Sequence, residues 1–255
     1  MFYILVNNIN GKVGIVYSMK WIEVNTYEEM SEVAATIFSK RIQEKPDSVL
    51  GLATGGSPVG MYKELVARHQ AGHLSFKEVQ TFNLDEYVGI EQSSPASYFT
   101  FMHENLFNFV DIQPKNVHLP NGQAANLAEE CAAYDKRIEE AGGIDLQLLG
   151  IGVNGHIAFN EPGASFDAKT NIVELTESTR TENAIYFNDP SEVPTHAITM
   201  GIHSIMKAKE IVLIAFGEKK LAAIEKLKSG HITEEFPASQ LLNHPNVTII
   251  YGGTN

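Results

Sequence analysis

Ser48-Val49-Leu50-Gly51-Leu52-Ala53-Thr54-Gly55-Gly56-Ser57-Pro58 is the stretch that decides the fold class. Its first six residues form a short apolar run, which suits a strand buried on both faces. Thr54 to Ser57 then form a turn, and Pro58 fits the first turn of a helix whose pattern runs to about Gln70. A buried strand feeding a helix through a tight turn is the repeating unit of a parallel sheet.

The same alternation extends in both directions. Lys20-Trp21-Ile22-Glu23-Val24 reads as the first core strand, and Thr26-Tyr27-Glu28-Glu29 reads as a reciprocal capping box. Met30, Val33, Ile37 and Phe38 follow at helical spacing. Val79 to Leu84, Ile144 to Leu149, Ile211 to Phe216 and Val247 to Tyr251 read as further strands, and Asn126 to Ala141 as a helix. This pattern predicts an α/β protein with a mostly parallel sheet covered on both faces. Residues from about 162 to 194 are rich in Gly, Pro, Ser, Thr and Asn and show no long period, so they read as a lid or an irregular excursion. Met19 stands just before the first strand, which makes residues 1–18 an extension the fold does not require. Residues 19–255 then form a single domain.

The chain has 255 residues, 44% hydrophobic and 20% charged, with a formal charge of −12. No Lys/Arg stripe offers a face for nucleic acid, whereas a small anion needs only a few local donors. Its one cysteine, Cys131, cannot form an internal disulfide, which fits a reducing cytoplasm. No apolar run approaches the ~20 residues of a membrane span.

Three loops after strands carry chemistry, and in open parallel sheets such loops converge beyond the carboxyl ends of the strands. Thr54, Gly55, Gly56 and Ser57 place backbone amides and a hydroxyl at a helix start, which suits an anion as well as it suits a plain tight turn. The Walker spacing with its lysine is absent, so the loop is not a nucleotide P-loop. Asn83-Leu84-Asp85-Glu86-Tyr87 puts two acids at a strand end, and alternation lets at most one face the crevice. A carboxylate shielded there can gain proton affinity and serve as a base; the plainer alternative for such a pair is a helix cap or a surface salt bridge. Gly150, Gly152 and Gly155 match G-x-G-x-x-G, but Pro162-Gly163 stops any helix that would carry a pyrophosphate, so these glycines instead let backbone crowd a small ligand. His156 and Glu161 remain as an acid–base pair, too few ligands for a metal. Lys220, at the helix start after Phe216, can reach an anion in the crevice.

Together, Leu52 to Pro58, Phe82 to Tyr87 and Gly152 to Pro162 strongly resemble the glucosamine-6-phosphate deaminase family, in the same order and over nearly the whole chain. The resemblance implies a Rossmann-like three-layer α/β/α fold and conversion of glucosamine 6-phosphate and water to fructose 6-phosphate and ammonia, with no cofactor. It implies that Asp85 moves a proton between C2 and C1, that His156 with Glu161 serves the ring oxygen, and that Thr54 to Ser57 and Lys220 hold the phosphate. Where many members carry Asp, this chain has Asn154, which orients His156 without adding charge. Where members often carry a phosphate-binding Arg, this chain has Ile185, leaving Arg180 of the same segment as the candidate substitute. Hexameric members bind an acetylated effector through basic residues, but Ala164 to Glu174 carries little positive charge, so no such activation is expected. A homo-oligomer is left open. The rivals are a galactosamine-6-phosphate deaminase or isomerase, a 6-phosphogluconolactonase-like hydrolase, a non-catalytic sugar-phosphate sensor and, last, a nicotinamide oxidoreductase.

Overall fold

The structure is a computed structural model and describes residues 19–187 and 189–253; the expected extension, residues 1–18, lies outside the described residues. In chain order, the elements begin with β1 (Lys20–Val24), α1 (Tyr27–Glu44), β2 (Val49–Leu52), α2 (Val59–Gln70), β3 (Gln80–Asn83) and β4 (Asp85–Tyr87). They continue with α3 (Tyr98–Asn105), β5 (Val117–His118), α4 (Leu127–Glu140), β6 (Leu146–Leu149), β7 (Asn171–Glu174) and α5 (Glu177–Asn183). The last are β8 (His196–Thr199), α6 (Ile202–Met206), β9 (Ile211–Phe216), α7 (Glu218–Lys228) and β10 (Val247–Gly252).

Seven strands form a parallel sheet in the order β1-β10-β9-β6-β2-β3-β5, flanked by helices in a Rossmann-like α/β arrangement. The central strands β2, β6 and β9 are buried along almost their whole length, as their uninterrupted apolar runs require. After β2 the chain builds outward through β3 to β5, then returns to β6 and builds the other way through β9 and β10. The switch point therefore lies between β2 and β6, where a crevice opens for a ligand. β1 pairs only with β10 and is an edge strand, not a central one, held by Trp21 edge-on to Tyr251.

Three local readings change. The capping box is split: Thr26 Oγ1 accepts from the Glu29 amide at 3.1 Å, but Glu29 turns back to the Asn25 amide at 2.8 Å, not to Thr26. Pro58 precedes α2 rather than entering it. Residues 162–194 are not irregular throughout, since they contain β7 and α5. With β4, β7 and β8 make a second sheet, antiparallel, in the order β4-β8-β7. Its small core joins Tyr87, Phe159, Leu175 and Ala197, with Tyr98 and Phe187 packed against them.

The ends of the main sheet divide the work. At the amino ends, buried Asp145 accepts from the Val49 amide (2.8 Å) and Lys209 Nζ (2.7 Å), with Lys45 Nζ at 3.0 Å. At the carboxyl ends, the loops after β2, β6 and β9 meet. Cys131 is a buried residue of α4 whose thiol burial pushes up to about 11, which leaves it unreactive. Among the described residues, no helix is long and apolar enough to cross a membrane.

Candidate active site

A cavity of about 330 Å³ lies over the switch point. Thr54, Gly55, Gly56 and Ser57 from the loop after β2 line it, as do Gly150, Gly152 and His156 after β6 and Lys220 at the start of α7. Asp85, the first residue of β4, enters from the second sheet. The strand-end pair thus begins a strand of its own, in register with Thr199 and Ile198 of β8.

Strand alternation separates the two acids by environment. Glu86 turns away from the cavity and accepts the amides of Tyr87 (2.9 Å), Tyr98 (3.1 Å) and Phe99 (3.0 Å). Asp85, only 7% exposed, lies among Leu84, Tyr98 and Phe159, and its carboxyl accepts no hydrogen bond from the described residues. Burial, followed by the neighbouring Glu86 charge, pushes Asp85 up to about 8. A carboxyl in that condition binds a proton readily and, once ionised, is a strong base.

His156 and Glu161 are not a simple pair. His156 Nδ1 lies 2.8 Å from Asn154 Oδ1, whereas the Glu161 carboxylate is 3.7 Å away. Asn154 stands between them, donating from Nδ2 to Glu161 Oε2 at 2.7 Å and accepting the His156 amide at 3.1 Å. Flipping the amide would set a donor against the His156 N–H and an oxygen against a carboxylate, so Oδ1 must face His156. Nδ1 therefore carries the imidazole proton, and Nε2 is the acceptor. Glu161 is itself held by Thr179 of α5, whose hydroxyl donates at 2.7 Å. Burial lowers the proton affinity of His156; Glu161 and Glu182 oppose this while Lys220 adds to it.

Two glycines make this loop. A Cβ on Gly152 would lie 2.2 Å from the His156 ring, and Gly155 has φ +88° with the Phe236 ring in the space a Cβ would need. No helix follows between residues 150 and 170, so the glycines serve the imidazole and not a dinucleotide.

Lys220 lies in the same cavity, and burial lowers its proton affinity while Glu182 raises it. Arg180, the candidate substitute for the missing lid arginine, is not brought into the cavity; its guanidinium donates to the Val193 carbonyl at 3.3 Å. It lies on α5 between Thr179 and Thr181, and the cavity takes Thr179, Glu182 and Asn183 from that helix instead. Ile185 is 78% exposed and also outside. Among the described residues, no three His, Cys, Asp or Glu side chains are grouped to hold a metal ion.

Sequence reading missed the wall formed by Pro95 to Tyr98, Phe101, Ala158, Phe159 and Tyr186. One signal was present: Ser97 follows a Pro-containing turn and caps α3 by accepting from the Thr100 amide. The Tyr98–Phe159 stack, by contrast, joins two aromatics far apart in sequence that carry no local pattern.

Comparison with known proteins bears directly on this site. The family model for glucosamine-6-phosphate isomerases/6-phosphogluconolactonase matches residues 23–250. The chain is 81% identical over 237 residues to a glucosamine-6-phosphate deaminase of Lysinibacillus sphaericus, covering 93% of this chain and 100% of that one. A deaminase of Thermoanaerobacter pseudethanolicus is 54% identical over 91% of this chain and 92% of its own. Among solved structures, a monomeric glucosamine-6-phosphate deaminase superposes with a TM-score of 0.90 at 47% identity, covering 92% of this chain and 97% of that one. A 6-phosphogluconolactonase of Thermotoga maritima superposes at 0.74 with 19% identity, over 93% and 100% of the two chains, a likeness of fold.

Proposed function

This chain belongs to the family of glucosamine-6-phosphate isomerases and 6-phosphogluconolactonases, and we propose that within it the chain is a deaminase that converts glucosamine 6-phosphate and water to fructose 6-phosphate and ammonia. The observation that carries this reading is one cavity that holds a buried acid, Asp85, accepting no hydrogen bond from the described residues, and a neutral imidazole, His156, together with Lys220 and the anion-ready Thr54–Ser57 loop. Its curated relatives at 81% and 54% identity bear the deaminase name, which supports the same choice over the lactonases.

The chemistry assigns each group a task. The Thr54–Ser57 amides and Lys220 bind the phosphate and so fix the far end of the sugar. His156 Nε2 exchanges a proton with the ring oxygen as the sugar opens, and Glu161, acting through Asn154, holds the imidazole in that tautomer. Asp85 removes the proton from C2 and returns one to C1, so that C1 becomes a carbinol and C2 an iminium. Water adds to C2, ammonia leaves, and the ketose remains. The C1 carbonyl is the electron sink for removal of the C2 proton, its oxygen taking the proton that the substrate ammonium gives up, and the nitrogen lone pair then drives protonation at C1. The same reading takes residues 19–255 as the catalytic unit and places residues 1–18 outside it.

The test is to incubate the protein with glucosamine 6-phosphate, galactosamine 6-phosphate and 6-phosphogluconolactone. Equimolar ammonia and fructose 6-phosphate from the first substrate is the expected outcome. Lactone hydrolysis without ammonia release would overturn the reading.

A further inference from the structure

Glu86 takes no part in the steps above, yet it is 4% exposed and its carboxylate spans two elements. Oε1 accepts from the amides of Tyr87 and Tyr98, and Oε2 from Phe99. Tyr98 and Phe99 open α3, whose unpaired amides and partial positive charge suit a carboxylate. That same end of α3 brings Pro95, Ala96, Ser97 and Tyr98 to the cavity wall beside Asp85. The Tyr98 phenol donates to the Tyr87 hydroxyl at 3.2 Å, which leaves its ring fixed over β4. These three amides are thus given to Glu86, and none to Asp85.

We propose that Glu86 is a positioning residue for the Asp85 base: it clamps the amino end of α3 onto β4 and keeps a fixed negative charge beside the reacting carboxyl. This deepens the deaminase reading and rests on Asp85 being its base. The charge and the clamp do different things. The charge opposes ionisation of Asp85, which raises its strength as a base. The clamp holds Tyr98 in place, which keeps the base dry and its geometry narrow. The other groups that face Asp85 are Tyr87 on its own strand, Tyr98 from α3 and Tyr134 from α4; Lys220, His156 and Glu182 line the same cavity. Its partner on β8, Thr199, is uncharged. Burial holds Glu86 above the ordinary carboxylate range too, and its three amides offset part of that rise by favouring the ionised form.

The test is a carbon-13 NMR titration of both carboxyls in the ligand-free protein, assigned with Asp85→Asn and read alongside the pH profile of kcat/KM. In the wild type Glu86 is expected to ionise at lower pH than Asp85; joint or reversed titration would overturn the proposal without any variant at residue 86. In Glu86→Gln the Asp85 titration and the acid limb of kcat/KM should both move to lower pH by roughly one unit. Glu86→Asp keeps the charge but withdraws it from the α3 amides, so the limb should stay while kcat falls about 10-fold or more. An unmoved titration in Glu86→Gln, or unchanged kcat in Glu86→Asp, would also overturn the proposal. Retained turnover in Asp85→Asn is a separate outcome, which removes the base reading itself.

Discussion

Replacing Asp85 by Asn is expected to make the fold more stable while it destroys activity. The carboxyl is 7% exposed, accepts no hydrogen bond from the described residues, and is pushed up to about 8, against 3.8 for a free aspartate. In the unfolded chain it ionises freely, so burial of the acid favours unfolding wherever the two states differ in protons bound. The sign follows. Below about pH 4 the group is neutral in both states and costs nothing. As pH rises from there towards about 8, the unfolded state loses its proton first and native stability falls. At about 1.36 kcal/mol per pH unit, the span from the free value to neutral pH amounts to at most about 4 kcal/mol. The substituted carboxamide would be buried without partners as well, at about 1–3 kcal/mol, leaving a net gain of roughly 1–3 kcal/mol near pH 7. For a chain of this size that is about 2–10 °C in Tm. The assay is urea denaturation of both proteins near pH 5 and pH 8. The advantage of the variant should grow between those two pH values by up to about 4 kcal/mol. A pH-independent difference, or a variant less stable near pH 8, would refute the claim that Asp85 is an unsolvated acid.

Three further outcomes follow from particular contacts. Lys220→Met removes the lysine of the cavity and should raise KM for a sugar phosphate roughly 10- to 100-fold, with kcat changed far less, in steady-state assays. Asn154→Ala cuts the link between His156 and Glu161; kcat should drop by about 10²-fold, and Tm should stay within a few degrees because the loop is partly open to solvent. Asp145→Asn leaves Lys209 and Lys45 without their shared acid and should cost about 1.5–3 kcal/mol by denaturation at neutral pH. Burial pushes Asp145 up, but Lys209, the Val49 amide and Lys45 outweigh it and hold it below the ordinary carboxylate range. The wild-type advantage is therefore present above the unfolded pKa and disappears as pH falls through the folded one.

The main sheet was legible because its central strands are apolar runs between turns: Ile211–Phe216 and Val247–Gly252 emerge almost as the pattern predicts. The second sheet was not. β4 has three residues and β7 has four, Asn171-Ile172-Val173-Glu174, too short for a period to declare itself among the polar residues around them. The chemistry-bearing loops were legible for the same reason as the strands, since each follows one. Glycine spacing marked the His156 loop, but not that Asn154 would stand between His156 and Glu161; that depends on where the chain turns back after Ala158, whose φ is +51°. The wall from α3 and α5 left no signal beyond the Ser97 cap, because Tyr98, Thr179 and Glu182 reach the cavity by long-range packing. Arg180 shows the converse: the residue type was right for a phosphate, but its position on α5 turns it to Val193.

The central claim, that Asp85 carries the proton from C2 to C1 of an amino-sugar phosphate, is tested most directly by following C2-deuterated glucosamine 6-phosphate. With the wild-type protein, ammonia release should show a primary isotope effect, and the fructose 6-phosphate formed should carry deuterium at C1 or have lost it to solvent. Asp85→Asn should release ammonia at least ~10²-fold more slowly. Near-normal ammonia release from that variant, or release of ammonia with an aldose product that keeps its deuterium at C2, would contradict the account.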